Sequence, residues 1–333
     1  MTALLLREQG HAVHGALMSV RDASGRGCGA PGDTEAAAAL ASGLGIPFTV
    51  FDCSQAYREV VLGNFRAEYL AGRTPNPCVL CNPNLKFTLL PRLAREAGID
   101  FDFFATGHYA RIEYSAELNR HVLLRGVDTG KDQSYFLYRL GADLLARVRF
   151  PVGKYTKTVI RGMAKERGVP VFDKPDSQDF YGGDYAELLG VAEAEGEIVD
   201  TRGKVLGKHP GYWRFTPGQR KGLGIAFSEP LYVIRIEPER NCVVVGTRDE
   251  ELSRGCIADN LVFPDGLPEA GASFLGRIRS AQPLRPMRVV RAEGDEIAVE
   301  FDERLQGVAP GQALVLYTGD MVVGGGVIKA ALP

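Results

Sequence analysis

Two cysteines, Cys78 and Cys81, stand three positions apart in the segment Ala71–Phe87. Three prolines and a glycine in the same segment predict a stiff loop rather than a helix or a strand. Two sulfurs held close together suit a thiol pair that exchanges sulfur, or part of a metal or iron–sulfur site. The alternative that they are core cysteines, or thiols on a mobile loop without a chemical role, stays open on these residues alone.

Length and composition narrow the classes of protein. The chain has 333 residues, which predicts two or three domains, with 45% hydrophobic and 24% charged residues. It contains no apolar run long enough to cross a membrane, and its first residues do not resemble a signal peptide. We therefore expect a cytoplasmic protein without a membrane partner. In a reducing compartment, a close pair among the six cysteines is expected to be reactive or metal-binding rather than a disulfide.

The charge distribution indicates local contacts with phosphate. The net charge of −2 argues against a general polyanion-binding protein. However, residues 201–224 and 275–291 contain several lysines or arginines and no acidic residue. Such stretches favour local phosphate contacts. A solvated basic face with acidic partners elsewhere in the sequence is the alternative.

The first part of the chain alternates between helical and strand patterns. The predicted helices are Thr2–Gly10, a helix capped by Asp33 and ending at Gly43, Tyr57–Leu70 and Phe87–Ala97; the predicted strands are His11–Met18, Pro47–Phe51 and Phe103–Ala105. This order predicts an α/β fold with a doubly wound parallel sheet. Ligands of such sheets bind beyond the carboxyl ends of the strands. Cys28, Cys53 and the pair Gly107-His108 all follow strands, so we expect them to face one site.

The second part is predicted to be mostly β-structure. A further helix is expected to begin at Lys131, and another to cover Thr158–Gly168. Short strands separated by turns follow: Tyr232–Ile236, Cys242–Val245, Met287–Arg291, Glu296–Phe301 and Ala313–Tyr317. This pattern predicts small β-rich domains, most simply barrels.

A series of motifs resembles one family, the tRNA-specific 2-thiouridylases. The matching segments run in order over nearly the whole chain: Ala71–Pro77, Cys81-Asn82 with Lys86-Phe87, Ala105–Tyr109, Leu124–Gly126 with Asp128, Lys131–Leu137, Phe150–Gly153, Lys174–Gln178, Phe215–Gly224, Leu231–Val233 and Gly324–Ile328. The resemblance implies an adenine nucleotide α-hydrolase-like catalytic domain over residues 1–190. It further implies a small central β-rich domain over 191–250 and a C-terminal β-barrel over 251–333.

The implied activity is ATP-dependent 2-thiolation of the wobble uridine of tRNA, a sulfurtransferase reaction. ATP, with Mg²⁺, would adenylate the O2 of the uridine, and a cysteine-borne sulfur would displace AMP. The implied partners are tRNA and either a sulfur donor protein or sulfide. The basic stretches agree with a folded RNA that bridges several domains.

Individual site residues follow from the matched positions. Cys81 matches the catalytic cysteine, and Met18 and Gly107 match contacts to the adenine nucleotide. Ser280 stands where the family carries an aromatic residue, so the contact implied there is in doubt. Asn76, Pro77 and Cys78 match the segment that contacts the target base. The remaining positions match contacts to tRNA: His108, Lys131, Asp132, Gln133, Arg279, Ser280 and Gln312.

The chain departs from the family pattern at its beginning. The family's Ser-Gly-Gly-x-Asp-Ser loop binds pyrophosphate through backbone amides at a helix N-terminus, and this chain does not contain it. In family members, the loop directly precedes a segment like Thr2–Gly10. We therefore expect the open reading frame to begin about twenty residues upstream of Met1, one strand and one loop at typical lengths. We expect weak ATP binding and little activity from the chain as printed.

A second departure concerns the cysteine that usually follows Asp-Ser-Gln-Asp and receives the persulfide sulfur. Here the run Asp176–Tyr185 contains none. In one hypothesis, Cys78 and Cys81 form a local pair of catalytic and resolving thiols. In the other, they join a third thiol, Cys53 or Cys28, and hold an iron–sulfur cluster. Cys242 and Cys256 are expected to be core residues without a role.

Two other functions stay open at this stage. The first is a catalytically inactive tRNA-binding paralogue of the thiouridylases, which would have lost the phosphate loop and the second cysteine. The second is another ATP-dependent ligase or amidotransferase on the same type of sheet. That class does not share the Gly-Arg-Thr-Pro-Asn-Pro segment or the C-terminal motifs.

Overall fold

A computed structural model describes residues 1–21, 27–29, 32–169, 180–181 and 185–333 of the chain. The chain forms two compact units. The first contains Met1–Val61, Pro77–Gly183 and Gly319–Val322, and the second contains Leu62–Asn76, Asp184–Thr318 and Val323–Pro333. Within the described residues, no helix is both long enough and apolar enough to cross a lipid bilayer.

The first half of the chain alternates between helices and short strands. In chain order, its elements are α1 (Thr2–Glu8), β1 (Gly15–Ser19), α2 (Asp33–Gly43), β2 (Phe48–Asp52), α3 (Ser54–Ala56), α4 (Gly63–Leu70), α5 (Pro77–Cys81), α6 (Leu90–Glu96), β3 (Phe104–Ala105), β4 (Ala110–Ser115), β5 (Arg120–Arg125), α7 (Ala142–Arg147), β6 (Val148–Arg149) and α8 (Lys157–Glu166). Two π-helical segments, Tyr57–Leu62 and Asn82–Leu89, join neighbouring helices.

The second half is mainly β-structure. Its elements are α9 (Tyr185–Leu189), β7 (Gly196–Val199), β8 (Val205–His209), β9 (Tyr232–Glu237), β10 (Cys242–Gly246), α10 (Arg248–Glu251), β11 (Ser253–Val262), β12 (Ser273–Arg277), β13 (Arg285–Glu293), β14 (Glu296–Leu305), β15 (Ala313–Thr318) and β16 (Met321–Leu332). The five strands predicted in this half, from Tyr232 onwards, are all confirmed with ends that differ by a few residues.

Parallel strand pairs form the framework of the first unit. Strand β1 pairs with β2 from Gly15 opposite Phe48 to Ser19 opposite Asp52, and β3 pairs with β6. Helix α2 connects β1 to β2, as expected for a parallel crossover. These pairs confirm the predicted α/β class with parallel strands. The antiparallel hairpin β4–β5 was not predicted, although it lies beside the matched motif Ala105–Tyr109.

The predicted stiff loop over Ala71–Phe87 is wrong for its second part. A helical run begins at Pro77 and continues through α5, the π-helical segment and α6 to Glu96. Proline is well tolerated at the first position of a helix, where its missing N–H would have no partner within the helix. Pro83, inside the run, stands at the beginning of the π-helical segment, and proline within a helix commonly coincides with such local irregularity. The prolines therefore shape this helix rather than prevent it.

The helix predicted from Lys131 is also wrong. Only a single 3₁₀ turn forms there, over Ser134–Phe136. The carboxylate of Asp132 accepts hydrogen bonds from the backbone N–H groups of Gly126 and Ser134, at 3.0 and 3.1 Å. Bonds from a short polar side chain to the backbone compete with helical hydrogen bonding, so the segment becomes a tight loop.

The strands of the second unit pack around separate hydrophobic cores. The four-stranded sheet β8-β7-β10-β9 carries one core, which includes Ile198, Val233 and Val243. The six strands β11-β14-β13-β12-β15-β16 form a closed barrel, since β11 also pairs with β16. The barrel confirms the C-terminal prediction. Cys242 and Cys256 are fully buried in this unit, as expected for core cysteines.

Candidate active site

The helical run that starts at Pro77 presents Cys78 and Cys81 on one side. Residues three positions apart in a helix are neighbours on its surface, so both thiols point in a similar direction. The Cys78 side chain is exposed and that of Cys81 is half-buried. The next residue, Asn82, is buried, and its amide donates a hydrogen bond of 3.1 Å to the backbone oxygen of Phe136. This bond anchors the helix at the point where the thiols lie.

Both thiols line a cavity of about 230 Å³ at the carboxyl end of β1. Its walls come from the end of β1, the beginning of α2, the π-helical segments and the α5 helix. The lining residues are Leu17, Met18, Ser19, Val20, Arg21, Cys28, Gly29, Asp33, Thr34, Tyr57, Pro77, Cys78, Cys81, Asn82, Lys86 and Phe180. The position is the one expected for a ligand of a parallel α/β sheet.

Only part of the strand-end prediction is confirmed. Cys28 lines the cavity together with the two helical thiols. Cys53 is only 2% exposed and is not among the residues that line it. Gly107 lines a different cavity of about 460 Å³, with residues of α1, of the segment before β1 and of β3. The two predicted nucleotide contacts, Met18 and Gly107, therefore lie in two separate cavities of the first unit.

Burial dominates the electrostatics of the thiols. It raises the pKa of Cys81 to about 12, and the nearby Lys86 ammonium opposes this shift without cancelling it. Partial desolvation also raises the pKa of Cys78, although its side chain is exposed, and the Lys86 ammonium again opposes the shift. The thiolate is the nucleophilic form, so both side chains rest as neutral thiols at neutral pH. Lys86 was part of a matched motif but was not predicted as a site residue; its place on the same helical run as Cys81 was the available signal.

The thiols do not form a preorganised metal site. Over the part of the chain that the structure describes, no group of three His, Cys, Asp or Glu side chains is close enough to hold a metal ion. Three thiols nevertheless line the same cavity, so the iron–sulfur cluster of the second hypothesis stays a prediction. The matched motif Lys174–Gln178 lies outside the described residues, and so does most of the cysteine-free run Asp176–Tyr185.

His108 is packed between aromatic rings in the first unit. Its ring centroid lies 5.6 Å from those of both Phe87 and Phe150, and its Nδ1 lies 2.7 Å from the hydroxyl of Thr106. Burial lowers the pKa of His108 well below its usual value, and the charge of Lys86 lowers it further. The imidazole is therefore neutral at physiological pH, so it is not a cationic contact for phosphate.

The three consecutive residues Lys131, Asp132 and Gln133 lie in different environments. Lys131 is exposed, whereas Asp132 is 6% exposed and bonds to neighbouring backbone and to the Ser134 hydroxyl. The Gln133 side-chain oxygen accepts a hydrogen bond of 2.9 Å from the backbone of Tyr109. Their contacts to tRNA remain predictions, and in this structure Asp132 and Gln133 serve the loop itself.

The remaining predicted contacts to tRNA belong to the second unit. Gln312 is buried, and its amide donates to the backbone oxygens of Thr74 and Pro75, at 2.8 and 3.2 Å. The Arg279 guanidinium donates to the backbone oxygens of Pro217 and Gly307, both at 3.2 Å. Ser280 is half-buried, and its backbone oxygen accepts from Arg277. Asn76, half-buried, directly precedes Pro77 in the chain.

Comparisons with known proteins match the whole chain. Three family models match in order: "tRNA methyl transferase HUP domain" over residues 1–181, "tRNA methyl transferase PRC-barrel domain" over 188–247 and "Aminomethyltransferase beta-barrel domain" over 253–328. A tRNA-specific 2-thiouridylase MnmA from Endomicrobium trichonymphae is 42% identical over 341 residues, covering 98% of this chain and 95% of its own length. Proteins of the same name from Geobacter metallireducens and Microcystis aeruginosa are 43% and 39% identical, each covering all of this chain and 94% and 96% of their own lengths.

Proposed function

The chain belongs to the tRNA-specific 2-thiouridylase family, and from this premise we propose that it replaces O2 of a uridine in tRNA by sulfur, in an ATP-dependent reaction. The observation that carries the proposal is the cavity at the end of β1, into which one helical run brings both Cys78 and Cys81. Identities near 40% over the whole chain with proteins that bear the enzyme's name favour the enzyme over an inactive RNA-binding paralogue.

The role of ATP is to turn O2 of the uridine into a leaving group. A carbonyl oxygen leaves poorly, but it leaves readily as AMP once it is esterified to the α-phosphate with release of pyrophosphate. Met18 and Gly107 are our proposed contacts to the nucleotide. Mg²⁺ would accompany the phosphates of ATP.

Cys81 is the thiol that we propose delivers sulfur. In its persulfide form, the outer sulfur attacks C2 of the adenylated uridine, and AMP leaves with the former O2. The base is then joined to Cys81 through a disulfide. The Cys78 thiolate attacks the Cys81 sulfur, which releases the 2-thiouridine and leaves a Cys78–Cys81 disulfide for an external dithiol to reduce.

The raised pKa of Cys81 supports a persulfide rather than the bare thiol as the reacting group. A thiol with a pKa of about 12 is almost entirely protonated at neutral pH. Sulfur added to it as a persulfide extends the reacting atom away from the buried Sγ and towards the cavity.

The substrate partner is tRNA, and the target base must leave its stack to reach Cys81. Asn76 and Pro77, immediately before the thiols, are our proposed contacts to that base. Lys131 and Arg279 are proposed cationic contacts to the RNA backbone, while the buried Asp132, Gln133 and Gln312 would act by holding the loops around them. His108 and Ser280 remain proposed contacts without a charge.

The proposal is tested by analysing the nucleosides of tRNA from a strain that lacks this gene and is complemented with variants of it. Cys81→Ser should abolish 2-thiouridine, and Cys78→Ser should reduce it severely. Cys242→Ser is the matched control, because Cys242 is a buried core thiol of the second unit. Retained 2-thiouridine with Cys81→Ser would overturn the assignment of the nucleophile, and its absence in the complemented wild type would overturn the function.

A further inference from the structure

We propose that Cys28 is a third reactive thiol of this site, one that accepts a sulfane sulfur from an external persulfide and passes it to Cys81. The inference rests on the proposed function and deepens it, because it names the chemistry of the sulfur source. The source is a persulfide carried by a small thiol or a protein, not free sulfide.

Two glycines hold Cys28 at the wall of the cavity. Gly27 and Gly29 adopt φ angles of +143° and +96°, which residues other than glycine rarely adopt. A Cβ atom on Gly27 would lie 2.5 Å from the backbone oxygen of Val20, so this loop lies directly against the end of β1. The Arg21 guanidinium adds a hydrogen bond of 3.2 Å to the backbone oxygen of Gly29. The sequence Gly-Cys-Gly is therefore required for Cys28 to stand where it does.

Cys28 shares its cavity with both helical thiols. The three sulfur-bearing residues Cys28, Cys78 and Cys81 line the same 230 Å³ space. A charge at Cys28 raises the pKa of both other thiols, whereas a charge at Cys53 raises the pKa of Cys81 and not that of Cys78. Cys53, the other candidate for a third thiol, is buried and does not line the cavity. The structure thus separates two cysteines that the sequence left as equal alternatives.

Exposure assigns the order of the thiols. Cys28 is exposed, whereas Cys81 is half-buried and its pKa is raised to about 12 by burial. A shielded thiol attacks an external persulfide slowly because exchange requires access between the two sulfurs, whereas a persulfide on Cys28 already stands in the same cavity as Cys81. Cys78 is also exposed, but the reaction needs it as the resolving thiol. With Cys28 as a separate acceptor, sulfur reaches Cys81 while Cys78 remains a free thiol for the resolving step.

The proposed relay consists of two exchanges that balance without an oxidant or a reductant. In the first, the Cys28 thiolate attacks the outer sulfur of R–S–SH; a new S–S bond forms at Cys28, the donor's S–S bond breaks, and R–S⁻ leaves. In the second, the Cys81 thiolate attacks the outer sulfur of the Cys28 persulfide, and the Cys28 thiolate leaves. Cys28 thereby supplies the third thiol that the cysteine-free run Asp176–Tyr185 does not.

The wild-type protein provides the first test. The reduced protein is mixed without oxygen with glutathione persulfide, quenched with an alkylating agent at intervals, and the persulfide at each cysteine is quantified by peptide mass spectrometry. The relay predicts label first at Cys28 and then at Cys81. Label that reaches Cys81 before Cys28 would overturn the proposal without recourse to any variant.

Variants provide the second test. Cys28→Ala should slow the loading of Cys81 about tenfold, and Cys81→Ala should leave persulfide trapped on Cys28. Cys53→Ala is the matched control, which removes a thiol beside the site but outside the cavity wall and should change the loading rate less than about twofold. If Cys81 acquires persulfide in the Cys28→Ala variant as fast as in the wild-type protein, the relay is contradicted.

These measurements involve neither ATP nor tRNA, so their outcome does not depend on whether the proposed function is correct. If the relay operates but no tRNA is thiolated, the function is wrong and the sulfur chemistry stands. If tRNA thiolation requires Cys81 but Cys81 acquires persulfide at the normal rate in the Cys28→Ala variant, the function stands and only the relay is wrong.

Discussion

Lys86 and Cys81 line the same cavity, five residues apart on one helical run. A π-helical segment begins directly after Cys81, and its hydrogen bonds join residues five apart, so the two side chains lie on the same side of the helix. Burial raises the pKa of Cys81 to about 12, and the Lys86 ammonium is the charge that lowers it. One helix therefore carries both the thiol and the cation that favours its ionised form.

We expect Lys86→Met to slow alkylation of Cys81 by iodoacetamide, because loss of the cation raises the pKa of the thiol further. In the wild-type protein, the rate should rise about tenfold for each pH unit up to about pH 10, since only the thiolate reacts and its fraction is far from saturation. Timed alkylation followed by peptide mass spectrometry at Cys81 measures both effects.

Lys86→Arg is the control for this experiment, because it keeps the positive charge and should retain most of the wild-type rate. A rate for Cys81 that reaches its plateau below about pH 8 would contradict the raised pKa. An unchanged rate in Lys86→Met would mean that the ammonium does not act on this sulfur.

The sequence predicted the strands of the barrel better than the helix that carries the thiols. In the strand Arg285–Glu293, buried Met287 and Val289 alternate with exposed Arg288 and Val290, and a local sequence pattern records such one-sided burial directly. Prolines are ambiguous by comparison, since they occur both in loops and at helix starts. The helix from Pro77 was missed because only its tertiary position decides between these two readings.

Residue type also did not reveal burial in the candidate site. Cys28 and Cys53 both follow predicted strands, yet one lines the cavity and the other is enclosed by the core. Their positions after strands predicted that both cysteines lie near the site. The direction of each side chain, however, depends on the geometry of its loop, which glycines such as Gly27 determine. The family resemblance supplied Cys81 and its partners, and it could not indicate that Gln312 bonds inward to the backbone.

We expect the free energy of unfolding to depend on His108 below about pH 6.5, the ordinary pKa of histidine. Burial lowers the pKa of His108 in the folded state, so its contribution to stability is fully present above pH 6.5. As the pH falls, the unfolded chain gains a proton that the folded protein does not, and stability decreases by up to about 1.4 kcal/mol per pH unit. Urea unfolding at about pH 7.5 and about pH 5.5 should show a smaller pH-dependent loss in His108→Asn.

An equal loss in His108→Asn and in the wild type would show that His108 titrates in the same way in both states.

Gln312→Ala should destabilise the protein by about 1–3 kcal/mol, the range for leaving buried polar partners without a hydrogen bond. Gln312 is buried and holds the backbone oxygens of Thr74 and Pro75, while the N–H of Thr74 donates to Pro310 at 2.7 Å. Gln312→Glu should cost more, because a carboxylate would face two carbonyl oxygens. Thermal unfolding measures both, with the exposed Gln9→Ala as a control expected to change stability by less than about 0.5 kcal/mol. A neutral effect of Gln312→Ala would contradict this structural role.

Lys131 and Asp132 are neighbours in sequence, but we expect opposite consequences when they are changed. Lys131 is exposed, so Lys131→Gln should leave stability unchanged while it weakens tRNA binding and lowers the slope of log affinity against log salt by about 0.7–0.9. Asp132→Ala should lower the melting temperature instead, because its buried carboxylate bonds to Gly126 and Ser134 and lies 3.6 Å from the Arg125 guanidinium. Fluorescence anisotropy with labelled tRNA across a salt series measures the slopes, and an unchanged slope in a folded Lys131→Gln would remove Lys131 from the RNA contacts.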